Sequence, residues 1–296
     1  PSLANSTITD FSQFDDSHIA VSTYSGGIYL LDQANNEIEQ LTLPNELLSY
    51  RIMSLLVDDE HLWIGTRTAG LFRFNLLSKA LFHFAHDESN DMTISANSIT
   101  DIVKLSNGEL WVSTYHHGLN KMNEDLTFTR LVPNKQDADK GPSSEHILKI
   151  IEGEFGVLWL ATYGGGVNRL DLNTMTFTHL IHDEADSGSI SSDLSWIIFR
   201  DNQGNLWVGT QAAGLNFLSL ENQQLNDYRF ERFNVKDGMK SRTVYGINQD
   251  EEGNIWFSSN KGISRLAPQS KTFKHFGIAH GLTELEYNHG AYFQDY

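Results

Sequence analysis

LWIGTRTAGLFRF (62–74), LWVSTYHHGLNKM (110–122), LWLATYGGGVNRL (158–170) and LWVGTQAAGLNFL (206–218) are four versions of one phrase, and IWFSSNKGISRL (255–266) is a fifth. Their tryptophans, Trp63, Trp111, Trp159, Trp207 and Trp256, stand 48, 48, 48 and 49 residues apart. A degenerate sixth version, IAVSTYSGGIYLL (19–31), has Ala20 in the tryptophan's place, 43 residues before Trp63. A register held over five steps marks a repeat architecture, in which no unit buries its apolar surface alone and each must stack on its neighbours.

Inside the period the pattern is all-β. In the third module SITDIVKL (98–105) is a β-branched, apolar run; the turn SNGE (106–109) leads to LWVSTY (110–115). Gly118 then opens GLNKMN (118–123), and LTFTRLV (126–132) closes the unit. DNQG (201–204) and DEEG (250–253) supply the same turn chemistry in later modules. There are only five prolines and no long 3.6-residue periodicity. Four short antiparallel strands leave two faces to cover, and a β-propeller covers both by packing sheet on sheet around an axis. A linear β-solenoid is the rival, but its coils are usually shorter than this period. Ile102, Ile150, Ile198 and Ile247 each lie nine residues before a repeat tryptophan, which predicts an inter-blade core shared by the two positions.

The expected fold class is therefore an all-β propeller of four-stranded antiparallel blades, a single domain over 1–296. Its modules fall near 8–43, 50–84, 97–132, 145–181, 193–233 and 242–276, and 287–296 reads as the first strand of a seventh. The opening PSLANSTITD reads as a cut from a longer protein.

Composition narrows the function. The formal charge of −17 argues against a nucleic-acid partner, since phosphate binding depends on clustered Lys and Arg. Solubility is the simplest account of the acidity. The absence of cysteine removes disulfides, thiolate metal sites and cysteine nucleophiles. No apolar run reaches 18 residues, so no direct membrane contact is expected from this stretch.

In a propeller, second-to-third-strand loops and blade-to-blade loops share one face, and variable loops on a rigid scaffold are where recognition sits. The first set here reads Tyr24-Ser25-Gly26, Arg67-Thr68-Ala69, Tyr115-His116-His117, Tyr163-Gly164-Gly165, Gln211-Ala212-Ala213 and Asn260-Lys261. The approaches to the first strands add Arg51, His146, Trp196, Arg242, Tyr245 and His289. Aromatic faces stack on sugars, and Arg, His and Asn bind hydroxyls or carboxylates. The expected ligand-binding residues are Trp196, Arg67, Arg242, Tyr115, His116, His117, Tyr163, His146, Arg51 and Tyr245. Trp196 is the one tryptophan outside the repeat position; the competing reading places it in blade packing, in phase with Ile198. For the arginines and tyrosines the competing reading is a solvated or inter-blade hydrogen-bonding residue. The opposite face, with first-to-second and third-to-fourth connections, reads as short and turn-like.

Several apparent chemical motifs dissolve into the repeat. His83-x-x-His86 and His179-x-x-His182 recur at one place in blades two and four, and residues three apart on a strand point to opposite sides, so they are read as structural. The D-x-x-G-x-x-W turns lack the serine and threonine of a sialidase Asp-box. Gly164-Gly165-Gly166 lacks the Lys-Ser/Thr of a phosphate loop and suits a left-handed turn. No G-x-S-x-G stretch is present. Asn5-Ser6-Thr7 is a formal glycosylation sequon with no role in a bacterial protein. No catalytic residues, metal ligands or cofactor are assigned; an enzyme would be a metal-dependent lyase or glycosidase using His116, His117 or His146.

HDESNDMTISANSITDIVKLSNGELWVSTYHHGLNKM (86–122) and HDEADSGSISSDLSWIIFRDNQGNLWVGTQAAGLNFL (182–218) resemble the two-component regulator propeller repeat, and the resemblance covers nearly the whole chain. GLTELEYNHGAYFQDY (281–296) is similar to that family's last blade before a small β-sandwich domain. The resemblance implies a periplasmic sensor region ahead of a transmembrane helix and a cytoplasmic output, a hybrid histidine kinase or diguanylate cyclase. It implies a small-molecule or oligosaccharide ligand and leaves room for a homodimer through the full-length sensor. The expectation is ligand sensing, not catalysis, with a non-binding scaffold or dimerisation module as the alternative.

Overall fold

A computed structural model describes residues 3, 6–25, 27–283, 285 and 287. The seventh-module strand at 287–296, His289, Gly26 and the sequon residue Asn5 fall wholly or largely outside them. The described chain forms six four-stranded sheets, each a meander of four consecutive antiparallel strands. These blades occupy 8–40, 52–84, 99–131, 147–180, 195–233 and 246–276. The protein is an all-β propeller of six blades, and its contacts group it into two compact units of three blades, up to Val132 and from Pro133.

In each unit the first strands of successive blades lie against one another. Between blades one and two, Asp10 Oδ2 accepts from Leu55 N (2.8 Å) and Ser12 Oγ from Val57 N (2.9 Å). Apolar cores fill the space between sheets as the repeat predicted. Trp63 shares a core with Ile102 and Val112 of the next blade, Trp159 with Ile198 and Val208, and Trp207 with Ile247 and Phe257. The isoleucine nine residues before a tryptophan therefore packs on the preceding blade's indole. Trp111, Trp159 and Trp207 are at most 1% exposed, and truncating such a ring to alanine costs about 3–5 kcal/mol.

The conserved spacing within the modules has direct structural causes. At the end of each second strand a Thr or Ser hydroxyl donates to a glycine carbonyl three or four residues on, as Thr66 to Gly70 (2.8 Å) and Thr210 to Gly214 (2.9 Å). Gly70, Gly118, Gly166, Gly214 and Gly262 hold φ between 66° and 97°, and an added Cβ at any of them would meet a backbone carbonyl leaving the fourth strand. Both constraints demand glycine. The D-x-x-G turns have an equal logic: Asp201 Oδ2 and Asp250 Oδ2 accept the indole N–H of Trp207 (2.9 Å) and Trp256 (2.7 Å) six residues later. Blade four has Gly153 at that position, and a Cβ there would strike the Trp159 ring.

The opposite face holds one departure from expectation. In blade five the third-to-fourth connection is not a short turn: it spans residues 219–230 and includes a five-residue α-helix, Leu220–Gln224. Ser219 caps it, accepting from Asn222 N at 3.1 Å.

Candidate functional site

The second-to-third turns are rigid, and a second backbone bond fixes what they face. The residue after the threonine donates its N–H to the carbonyl just before the blade's first strand: Tyr24 to Thr7, Arg67 to Arg51, Tyr115 to Ser98, Tyr163 to His146, Gln211 to Leu194. Five blades thus present one turn residue beside one approach residue, and of these approach residues Arg51 and His146 are the two singled out in sequence.

The blade-to-blade loops are equally well held. Buried Asn120, Asn168 and Asn216 on the third strands accept from the N–H of Ser95, Ser143 and Ser191 at 2.6–2.8 Å and donate to the same serines' hydroxyls. Arg130 and Arg232 on fourth strands wrap the loops before their own blades, donating to Thr93 O and Ser189 O at 2.7 Å. The paired histidines belong to this framework. His86 and His182 Nδ1 bond Ile94 O and Ile190 O (2.8 Å each), and His83 and His179 Nε2 bond Ala69 O (2.6 Å) and Gly141 O (2.9 Å). Structural roles account for all four.

In the first unit the structure brings three residues together. Arg51 Nη1 and Arg67 Nη1 both donate to Tyr24 Oη, at 2.9 and 2.5 Å, and the Arg51 guanidinium lies 4.7 Å from the Tyr24 ring centroid. Both arginines are exposed. The arginine ion pairs among the described residues involve Arg130, Arg169, Arg200 and Arg229, and neither Arg51 nor Arg67. Two like charges are therefore held within hydrogen-bond reach of one neutral oxygen, in a chain with 38 acidic and 21 basic residues. Such a fork is suited to a carboxylate, sulfate or phosphate. Blade three contributes Tyr115 and His116, rings 4.9 Å apart and edge-on, while His117 adopts φ 67° and its ring lies parallel to that of His86 at 6.4 Å. The adjacent histidines thus engage different neighbours.

In the second unit Trp196 stacks on Tyr245, rings 5.3 Å apart and 27° from parallel. The residues hold corresponding places at the start of blades five and six. The shared-phase reading of Trp196 and Ile198 does not hold. Trp196 is the extra residue of a β-bulge between the pairs Ser195–Thr210 and Ile197–Gly209, so Ile197 and Ile198 are both buried while Trp196 stays half-buried. The same bulge opens the first strands of blades one to four, so it belongs to the repeat, and it re-aims the side chain it carries. Arg242 is exposed and fixed through its carbonyl, which accepts from Gly214 N (2.8 Å); His146 and Tyr163 are joined through the backbone.

The convergence at Tyr24 escaped the sequence, because the residues lie 27 and 43 positions apart. The signal present was that Arg51 and Arg67 occupy the approach and turn positions of a single blade.

Six four-stranded blades joined by rigid turns define the chain as a β-propeller. Residues 93–116, 189–212 and 238–261 match the family model of the two component regulator propeller. Each match runs from the loop before a first strand past the tryptophan strand.

Among solved structures, the extracellular domain assigned to a hybrid two component system of B. thetaiotaomicron is similar with a TM-score of 0.74 at 19% identity, covering 95% of this chain and 36% of that one. PorZ, a surface component of the type-IX secretion system of Porphyromonas gingivalis, gives 0.63 at 16% identity, covering 84% and 37%. YCF48 from Cyanidioschyzon merolae gives 0.67 at 12%, covering 96% and 88%. At these identities the likeness is one of fold. The chain spans 36–44% of the length of the first bacterial structures it matches. A comparison with curated proteins finds no match. No helix among the described residues is long and apolar enough to cross a membrane.

Proposed function

We propose that this chain is the extracytoplasmic ligand-sensing propeller of a bacterial signal-transduction protein, and that it holds a carbohydrate-like or other small ligand through an anionic group at Tyr24, Arg51 and Arg67. The family repeat supports the sensory role, and the extracellular placement of the B. thetaiotaomicron domain supports the compartment. One observation carries the ligand class: two exposed guanidiniums converge on a single phenol oxygen without a carboxylate between them. An incoming carboxylate takes the bidentate hydrogen bonds that the phenol satisfies only singly. In the second unit the stacked Trp196–Tyr245 pair offers an aromatic face and Arg242 an exposed cation.

Calorimetric titration with trigalacturonate and, separately, with the neutral maltotriose tests the proposal. Saturable binding of the acidic sugar, weakened at least tenfold in the Arg51→Ala/Arg67→Ala chain and by raised salt, is expected. Binding that ignores both arginines removes the assigned site. No binding by any anionic glycan favours a scaffold role instead.

A further inference from the structure

Among the described residues the α-helix Leu220–Gln224 occurs only in blade five, and it builds a second concavity. Together with the first-to-second turn of blade four it borders an open groove of about 360 Å³, lined by Phe155, Arg169, Leu220, Gln224 and Asn226 with Trp159 buried beneath. That volume lies in the range of about 300–1,000 Å³ typical of small-molecule sites. It sits among the first-to-second and third-to-fourth connections of the second unit.

Phe155 breaks the local rules of its turn. It adopts φ 59° and Gly156 follows at φ 73°, two successive left-handed residues where Asn, Asp or Gly is favoured. Its ring is 72% exposed, so packing does not offset the unfavourable backbone. A bulky residue kept in a strained, solvent-facing position points to a use outside the fold.

The charges of the cavity decide what fits. Arg169 Nη2 donates to Asp171 (3.4 Å), and Glu154 is paired with Arg200. Both charged lining groups are thus matched within the protein. What is left is the exposed aromatic face of Phe155 and side-chain amides that donate and accept. We propose that this groove is a second ligand site and takes the ring of an uncharged sugar. The sugar's C–H face lies on Phe155, and its hydroxyls bond the amides of Gln224 and Asn226.

The test titrates maltotriose, cellotriose and mannotriose by calorimetry into the chain, Phe155→Asn, Gln224→Ala and the Arg51→Ala/Arg67→Ala double variant. At least one probe gives saturable heat, Phe155→Asn weakens it at least tenfold, Gln224→Ala weakens it less, and the arginine variant leaves it unchanged. Phe155→Asn also raises the melting temperature by about 2 °C or more, because asparagine accepts the left-handed backbone. Three results overturn the proposal: no saturable heat from any probe at millimolar concentration, binding that survives Phe155→Asn, or a lower melting temperature for that variant, which would make the ring a packing element. Since the arginine variant is carried in parallel, failure here is separable from failure of the anionic site.

Discussion

Replacing Gly214 with alanine tests the geometry on which every blade depends. Gly214 holds φ 91°, and a Cβ built on it falls well under 3.0 Å from the carbonyl oxygen of Phe233, where real Cβ atoms are not found. The left-handed backbone alone costs an L-residue about 1–2 kcal/mol. Relieving the contact requires the fourth strand to shift from the third, at the Leu215–Phe233 pair, and such overpacking adds about 1–3 kcal/mol. The narrower unfolded ensemble of alanine returns about 0.4–1 kcal/mol. The net loss is about 1–5 kcal/mol, and at ~2–4 °C per kcal/mol for a chain of this size class the melting point falls by roughly 2–20 °C. Gly108 is the control: its φ is 87°, yet nothing lies within 4 Å of a Cβ placed there. Gly108→Ala therefore bears only the backbone term and loses about 1–2 kcal/mol at most. Thermal and urea unfolding of the two variants side by side measure the difference. Equal losses would refute the reasoning, because they would remove the close approach to the fourth strand as a cause.

Asn120→Ala leaves the Ser95 N–H and hydroxyl without their buried partner, and a loss of about 2–3 kcal/mol with faster hydrogen exchange around 93–98 is expected. Burial raises the pKa of the Asp250 carboxyl, but hydrogen bonds from the Trp256 indole and from Asn254 outweigh it and set the group below its ordinary value. The stability it adds is complete above the unfolded pKa of about 4 and is lost as pH falls through the lower folded value, so Asp250→Asn should show a flatter loss of stability in acid titrations. A double-mutant cycle on Trp196→Ala and Tyr245→Ala should give a coupling of about 0.5–1.5 kcal/mol from the stacked rings; a value near zero contradicts the stacking.

The fold was legible because its causes are local and repeated. The Thr210–Gly214 bond has a Thr or Ser counterpart in every blade, Trp159 with Ile198 has two counterparts, and Asp201 with Trp207 has one, all at fixed spacing. The histidine pairs were legible for the same reason. Site geometry was less so. Arg51, Arg67 and Tyr24 were each visible at exposed loop positions, but their meeting at one oxygen is a tertiary fact across two blades. The bulge that frees Trp196 from the phase of Ile198 leaves no mark in the alternation of residues. The helix in SLENQQLND is a single five-residue element with no periodicity to find, and the extra length of the fifth module was its only trace.

A crystal structure of this chain with trigalacturonate tests the central claim most directly. The account predicts density for one carboxylate bridging Arg51 and Arg67, with Tyr24 Oη displaced from at least one guanidinium. Density for the sugar away from these residues, or both guanidiniums still on Tyr24 at saturating ligand, would contradict it.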